Sequence, residues 1–165
     1  MSAVPCDDLL PTLRPLTTVQ LDAVLTIEVD VYPFPWTRGN FIDSLAAGYW
    51  ARTLTTMDGV LLGYMVAMPG VEEMHLLNIT VAREHQGCGH ARTMHAALMA
   101  EARLRGARRV WLEVRESNQR ARALYLRLGY REIAQREGYY PAPQGRRENA
   151  VVMGLDLGEL HDGLD

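Results

Sequence analysis

The sequence predicts an α/β fold in which helices cover both faces of one mixed sheet. Apolar residues recur with a period of two in some segments and near 3.6 in others, in the order β-α-α-β-β-β-α-β-α-β-β. At the centre of this order, a strand, a glycine-containing loop, a helix and a further strand form a crossover, which joins parallel strands in the right-handed sense. A chain of 165 residues with 48% hydrophobic residues is long enough for one domain with its own core.

Local signals set the bounds of the elements. Thr17 or Thr18 caps the first helix, which the two prolines of YPFPW then end, and Thr37 caps the second. A turn signal at residues 57–59 joins two β-rich segments into a hairpin. Asn118 begins the fourth helix, and a glycine follows both the third and the fourth. The predicted strands are residues 12–16, 49–56, 60–68, 72–81, 109–114, 131–139 and 150–156.

Composition and charge exclude several protein classes. No apolar run approaches the roughly 20 residues of a membrane helix, and the first 13 residues lack the basic region of a signal peptide. A net charge of -3 argues against nucleic-acid binding, and two cysteines, Cys6 and Cys88, make no disulfide framework, which fits a reducing compartment. We therefore expect a cytoplasmic protein without nucleic-acid or membrane partners. It should fold as a single domain over residues 12–157, between flexible tails at 1–11 and 158–165.

A glycine-containing loop precedes the third helix. Gly87 and Gly89 permit a tight turn whose backbone N–H groups converge with the helix dipole, which predicts an anion site with phosphate as its natural guest. A simple helix start is an equal alternative for such a short pattern. The lysine and Ser/Thr of a nucleoside-triphosphate loop are missing, and the loop follows several strands rather than the first, which argues against a dinucleotide site.

Reactive side chains in this loop suggest no other chemistry. His85, His90 and His95 are spaced by five residues and do not stack on one helical face, so no metal site is expected. Cys88 has no evident His–acid pair and is interpreted as a small residue that fills a tight loop.

Two polar side chains lie at positions predicted to be inside the fold. In RVWLEV, Glu113 shares a face with Trp111, and a strand covered on both faces would bury it at a high desolvation cost unless it reaches a cleft. A glutamate near the end of an edge strand, open to water, is the alternative. Tyr125 lies on the inner stripe of its helix, either as a core tyrosine with one hydrogen bond or as a functional group.

These features occur together with several short motifs. The loop HQGCGHA is followed by VWLEVRESN and then by ALYLRLGY, while FPWT, LLNITV and YYP lie before and after them. Together they resemble the GNAT N-acetyltransferases, and most closely the RimI type, bacterial enzymes that acetylate the N-terminal alanine of a small-subunit ribosomal protein. The resemblance spans roughly residues 13–155.

The resemblance implies a GNAT fold, with a mostly antiparallel, splayed sheet, and acetyl-CoA as cosubstrate without a metal. Pantetheine would pair with the strand formed by Ile79, Thr80 and Val81, and Asn118 would contact the cofactor near its thiol end. The pyrophosphate would lie on loop N–H groups, those of His85, Gln86, Gly87, Cys88, Gly89 and His90. Counted back from Gly87, the position that is usually Gln or Arg in the family holds Glu84, so side-chain help to the phosphates is not expected there.

For catalysis, the resemblance implies Glu113 as general base, directly or through water, and Tyr125 as general acid. Trp36, Tyr139 and Tyr140 would flank the acceptor, with plain hydrophobic packing as their alternative. The expected partner is the N-terminus of a ribosomal protein, and the expected state is a monomer or weak dimer. A GNAT enzyme acting on a small amine or lysine, and an acyl-CoA-binding module without turnover, are the alternative functions.

Overall fold

The computed structural model describes residues 10–158, which contain seven strands and four α-helices. The helices are α1 (Leu21–Val31), α2 (Arg38–Ala46), α3 (His90–Leu104) and α4 (Gln119–Arg127). The strands are β1 (Thr12–Pro15), β2 (Trp50–Thr55), β3 (Leu61–Gly70), β4 (Glu73–Val81), β5 (Arg109–Arg115), β6 (Arg131–Pro141) and β7 (Arg147–Asp156). Each predicted element is present in the predicted order. The expected tails lie almost entirely outside the described residues.

All seven strands belong to one hydrogen-bonded sheet, in the order β1-β2-β3-β4-β5-β7-β6. β4 and β5 pair in parallel, whereas the β1–β2, β2–β3, β5–β7 and β6–β7 pairs are antiparallel. The parallel register runs from Glu73 opposite Arg109 to Leu76 opposite Leu112 and ends there, although both strands continue. This early end confirms the expected GNAT fold with its splayed, mixed sheet.

The chain divides into two compact units. The first unit contains the described residues as far as Met68 and the segment Leu77–Leu98. Its core is an apolar cluster in which α1 and α2 pack against residues of β2 and β3. The fully buried members of this cluster are Leu16, Leu21, Val24, Phe41, Ala51, Tyr64 and Val66.

The second unit contains Pro69–Leu76 and the described residues from Met99 onward. β5 and β7 supply most of its buried residues, because β5 is paired on both sides and β7 lies between β5 and β6. β6 is the edge strand, and most of its residues are exposed. The edge therefore falls on the strand that carries Tyr139 and Tyr140.

Capping residues explain where the helices begin. The hydroxyl of Thr37 accepts a hydrogen bond from the Asn40 N–H at 3.2 Å, which confirms its predicted role at the start of α2. Asn118 Oδ1 accepts from the Ala121 N–H at 3.1 Å and caps α4 in the same way. Within residues 10–158, none of the helices combines the length and the apolar character needed to cross a membrane.

Candidate active site

A buried carboxylate lies at the centre of a polar cluster in the second unit. Only 5% of the Glu113 side chain is exposed, although the backbone lies near the end of β5, so the alternative of a glutamate open to water is wrong. Its Oε1 lies 3.2 Å from Nε2 of His75, which is itself only 12% exposed. The cluster therefore begins as a carboxylate–imidazole pair on two neighbouring strands.

The register of the sheet explains this pairing. His75 on β4 lies opposite Trp111 on β5, and their rings stack with centroids 3.6 Å apart and planes 13° apart. Glu113 follows Trp111 by two residues, so its side chain leaves the same face of β5. The sequence analysis missed His75. The signal that could have found it is its position on the strand that pairs in parallel with β5, on the face that carries Glu113.

Two residues of β6 complete the cluster. Arg136 Nη1 lies 3.8 Å from Glu113 Oε2, and its guanidinium lies over the ring of Tyr139 at 5.3 Å. Desolvation would raise the pKa of Glu113, but the hydrogen bond from His75, the Tyr139 hydroxyl and the charge of Arg136 outweigh it and lower that pKa. Glu113 is therefore ionised at neutral pH despite its burial.

Two buried polar atoms in this cluster form no hydrogen bond. Among the described residues, Glu113 Oε2 and Trp111 Nε1 are both buried and form no hydrogen bond. Buried polar atoms are nearly always satisfied, so unsatisfied ones indicate a place where water or a ligand belongs. An unsatisfied carboxylate oxygen is suited to a cationic or hydrogen-donating guest.

The predicted acceptor residues of β6 lie at this cluster. The rings of Tyr139 and Tyr140 meet edge to face at 4.9 Å, and Arg115 lies over the Tyr140 ring at 4.6 Å. Burial raises the pKa of both tyrosines, followed by the hydrogen bond to Glu113 for Tyr139 and by the charge of Glu113 for Tyr140, so both hydroxyls stay protonated at neutral pH. Tyr139 remains 42% exposed, which leaves one face of its ring accessible to a ligand.

The other two predicted residues of this unit lie on α4 and before it. Tyr125 is 8% exposed, and its ring meets that of Tyr130 at 5.4 Å. Asn118 uses its side-chain oxygen to cap α4, which leaves its side-chain NH₂ as the group that a cofactor would contact. Tyr125 lies on α4 and Asn118 directly precedes it, shortly after Glu113 in sequence.

The glycine loop belongs to the first unit. Gly87 and Gly89 have φ of +82° and +79°, and no atom lies within 4 Å of where a Cβ would be at either residue. The backbone therefore needs glycine there, and the space beside it is open to a ligand. The amides of His85 and Gln86 already donate to Ala82 O at 2.9 Å and Arg83 O at 3.4 Å.

A tyrosine at the C-terminal end of α1 holds the strand segment that precedes this loop. The Tyr32 hydroxyl lies 2.8 Å from Thr80 Oγ1 and donates to Ile79 O at 3.2 Å. Burial raises the pKa of Tyr32 to about 12, so this phenol remains a donor at neutral pH. The segment from Ile79 to Val81 is thus fixed by its side-chain contacts, beyond the end of the parallel ladder.

Trp36 is anchored through its backbone. Its N–H donates to Glu28 Oε1 at 3.0 Å, and its ring packs against Phe41 at 5.1 Å. Glu28 is 1% exposed, and its carboxylate also accepts from Tyr64 and from Asn78 Nδ2. Trp36 lines an open surface groove together with Asn40 and Asp43 of α2.

One expectation about the cysteines is wrong. Cys88 is disulfide-bonded, and no cysteine of the described residues is free. The expectation had rested on the small number of cysteines, since two of them make no disulfide framework. Cys6 lies outside the described residues.

Known proteins resemble this chain in both sequence and fold. Residues 21–130 match the Acetyltransferase (GNAT) family. The [ribosomal protein bS18]-alanine N-acetyltransferase of Escherichia coli K12 is 35% identical over 146 residues, which cover 88% of this chain and 97% of that protein. The protein of the same name from Haemophilus ducreyi is 35% identical over 131 residues, which cover 79% of this chain and 90% of that protein.

A solved structure agrees with these relatives. The crystal structure of the ribosomal-protein-S18-alanine N-acetyltransferase from Escherichia coli has a TM-score of 0.83 and 33% identity, and the match covers 94% of this chain and 99% of that chain. Identity at this level over almost the whole chain agrees with the motifs and with the splayed sheet. This chain therefore belongs to the GNAT acetyltransferase family and is of the RimI type.

Proposed function

We propose that this protein transfers the acetyl group of acetyl-CoA to the N-terminal α-amine of a protein, and that its acceptor is the N-terminal alanine of ribosomal protein bS18. The names of its relatives support the acceptor. The observation that carries the reaction type is the buried, ionised Glu113 with one unsatisfied oxygen. An α-ammonium group supplies the N–H donors that this oxygen lacks, together with a positive charge that complements the carboxylate.

The acceptor must lose a proton before it can react. An α-amine has a pKa near 7.7–8.0, so most of it is protonated at neutral pH and cannot attack the thioester that acetyl-CoA supplies. In this proposal Glu113 holds the ammonium and receives its proton directly or through water. Tyr139 and Tyr140 would flank the bound N-terminus, and Trp36 is proposed as a further acceptor-binding residue.

The glycine loop would bind the phosphates of acetyl-CoA. Because the His85 and Gln86 amides are already used, we assign phosphate binding to the amides from Gly87 to His90, at the start of α3. Gly89 directly precedes that helix. Gln86 Nε2 donates to Val81 O at 3.1 Å and steadies the loop.

The remaining residues act on the reacting end of the cofactor. The strand segment Ile79, Thr80 and Val81 would pair with pantetheine, and a free N–H there would stabilise the charge that develops on the carbonyl oxygen. Asn118 would contact the cofactor near its thiol. Tyr125, with a phenol of reference pKa about 10, would donate a proton to the departing thiolate.

A peptide panel tests this function. Purified protein is incubated with acetyl-CoA and peptides that differ only at the first residue, and mass spectrometry locates the added acetyl group. We expect α-amine acetylation of the alanine peptide and none of the same peptide with a blocked N-terminus and internal lysines. Lysine or small-amine acetylation at a comparable rate would favour the alternative acceptor class. Tight acetyl-CoA binding without any product would instead indicate a non-catalytic module.

A further inference from the structure

We propose that His75 is a second catalytic residue of this site and that it accepts the proton of the acceptor ammonium while Glu113 orients its imidazole. This inference rests on the proposed function and assigns the proton transfer to a residue pair instead of to Glu113 alone. The observations that carry it are the 3.2 Å contact between His75 Nε2 and Glu113 Oε1 and the stacking of His75 on Trp111.

A carboxylate alone is poorly matched to this proton transfer. Moving a proton from an ammonium of pKa near 8 to a carboxylate of reference pKa about 4.3 is strongly unfavourable, because the carboxylate is by far the weaker base. The surroundings of Glu113 lower its pKa further and increase this mismatch. A base works best when its pKa lies near the working pH, which is the property of an imidazole.

The contacts fix the imidazole for this task. In this proposal the neutral ring carries its hydrogen on Nε2, which lies 3.2 Å from Glu113 Oε1, because the ionised carboxylate can only accept. In the neutral ring this leaves the lone pair on Nδ1, which is the atom that receives the proton. Glu113 then stabilises the imidazolium, as the buried carboxylate does in catalytic triads. Stacking at 3.6 Å on Trp111 holds the ring plane.

The other charged and titratable groups around this pair do not compete for the proton. The guanidinium of Arg136 has no acceptor atom, and the raised pKa values of Tyr139 and Tyr140 keep both phenols protonated at neutral pH. Of the cluster within the described residues, His75 is thus the one side chain that offers a nitrogen lone pair.

The proton balance of the reaction is simple. One N–H bond of the ammonium breaks as a bond from hydrogen to His75 Nδ1 forms, and the imidazolium later releases this proton to solvent. The amine nitrogen then bonds to the acetyl carbon, and the bond from that carbon to sulfur breaks. The nitrogen loses its second proton as the amide forms, and the departing thiolate takes up one proton through Tyr125. These two protons cancel in the overall reaction. One proton is released to solvent for each acetyl group transferred.

The test compares pH–rate profiles on an alanine-initiated peptide. His75→Gln keeps an N–H donor toward Glu113 but cannot accept the proton, so we expect a loss of about 10²-fold at pH 6.5 to 7, within the range typical of a lost general base. The loss of rate should become smaller toward pH 9, because the amine is then deprotonated in solution before it binds. Adding Glu113→Gln to His75→Gln should cost little more, because residues that act as a unit are not additive.

Two controls separate catalysis from structure. Glu73→Gln removes an exposed carboxylate from the same strand and should leave the profile unchanged. His75→Ala opens a space beside Trp111, and added imidazole should restore part of its activity, which a purely structural role would not allow. Acetyl-CoA affinity, measured by calorimetry, should stay near wild type in each variant.

The possible outcomes are distinct. If His75→Gln retains the wild-type rate from pH 6.5 to 9, or if its deficit is independent of pH and insensitive to imidazole, His75 does not carry the proton. In either case the proposed function stands, because the wild-type enzyme still acetylates the peptide. If wild type itself acetylates no N-terminus in the panel, both the proposed function and this inference are overturned.

Discussion

The buried carboxylate of Glu28 is expected to be a major source of stability in the first unit. It accepts hydrogen bonds from the Trp36 N–H at 3.0 Å, from the Tyr64 hydroxyl, and from Asn78 Nδ2 at 3.3 and 3.4 Å. Tyr64 is fully buried, and Asn78 is 8% exposed, so water does not readily replace the carboxylate. Removing Glu28 should therefore leave several donors unsatisfied.

The size of the effect follows from these contacts. Each buried donor left without a partner costs about 1–3 kcal/mol, and the cavity left by truncation adds to this. Three donor groups at this cost come to about 3–9 kcal/mol. The Asn78 contacts are long and Trp36 is only partly buried, so we expect Glu28→Ala to lose about 4 kcal/mol of unfolding free energy, toward the lower end of that total. Glu28→Gln keeps the shape and one acceptor oxygen but turns an NH₂ toward the donors, and should lose about 2 kcal/mol.

Thermal unfolding at fixed pH provides the measurement. At about 2–4 °C per kcal/mol for a chain of this length, Tm should fall by about 8–16 °C in Glu28→Ala and by about 4–8 °C in Glu28→Gln. Asp58→Asn removes an exposed carboxylate at the hairpin turn and serves as the matched control, with an expected change within about 0.5 kcal/mol. A Tm of Glu28→Ala within 2 °C of wild type would show that the donors find other partners, contrary to this reasoning.

Two further predictions concern the proposed reaction. Gly87→Val or Gly89→Val places a Cβ where φ is positive and where the phosphates would approach. Acetyl-CoA affinity, measured by calorimetry, should therefore fall far more than Tm. Unchanged affinity in both variants would remove the phosphate assignment. Tyr125→Phe keeps the ring contact with Tyr130 and removes the acid, so the acetylation rate should fall at all pH values without recovery at high pH. The loss should be limited, because a thiolate of pKa near 8.5 also departs unprotonated. A full wild-type rate would exclude Tyr125 as the acid.

The elements of the fold could be predicted because their signals are local. Thr37 caps α2 within three residues, the turn at residues 57–59 closes a hairpin, and the alternation in RVWLEV places Glu113 and Trp111 on one face. In each case the information lies within one turn or one strand, where backbone geometry alone determines direction.

The polar partners could not be predicted in the same way. His75 meets Glu113 because β4 and β5 pair in one particular register, and a shift of a single residue would turn one of the two side chains to the other face. Arg136 reaches the same carboxylate from β6, which is not a neighbour of β5 in the sheet order. The disulfide at Cys88 was missed because two cysteines do not by themselves indicate a pairing.

The two buried carboxylates differ in a way that distinguishes structural from functional roles. Protein donors reach both oxygens of Glu28, so it has no remaining capacity for a substrate. Glu113 instead keeps one unsatisfied oxygen, and its other contacts come from residues that titrate or carry charge. Because the pKa of Glu113 is lowered, its ionised form stabilises the fold above the unfolded pKa of about 4.3, and this contribution is lost only as pH falls through the lower folded value. Near neutral pH, neutralising Glu28 should therefore act mainly on stability, whereas neutralising Glu113 should act mainly on the rate of acetyl transfer.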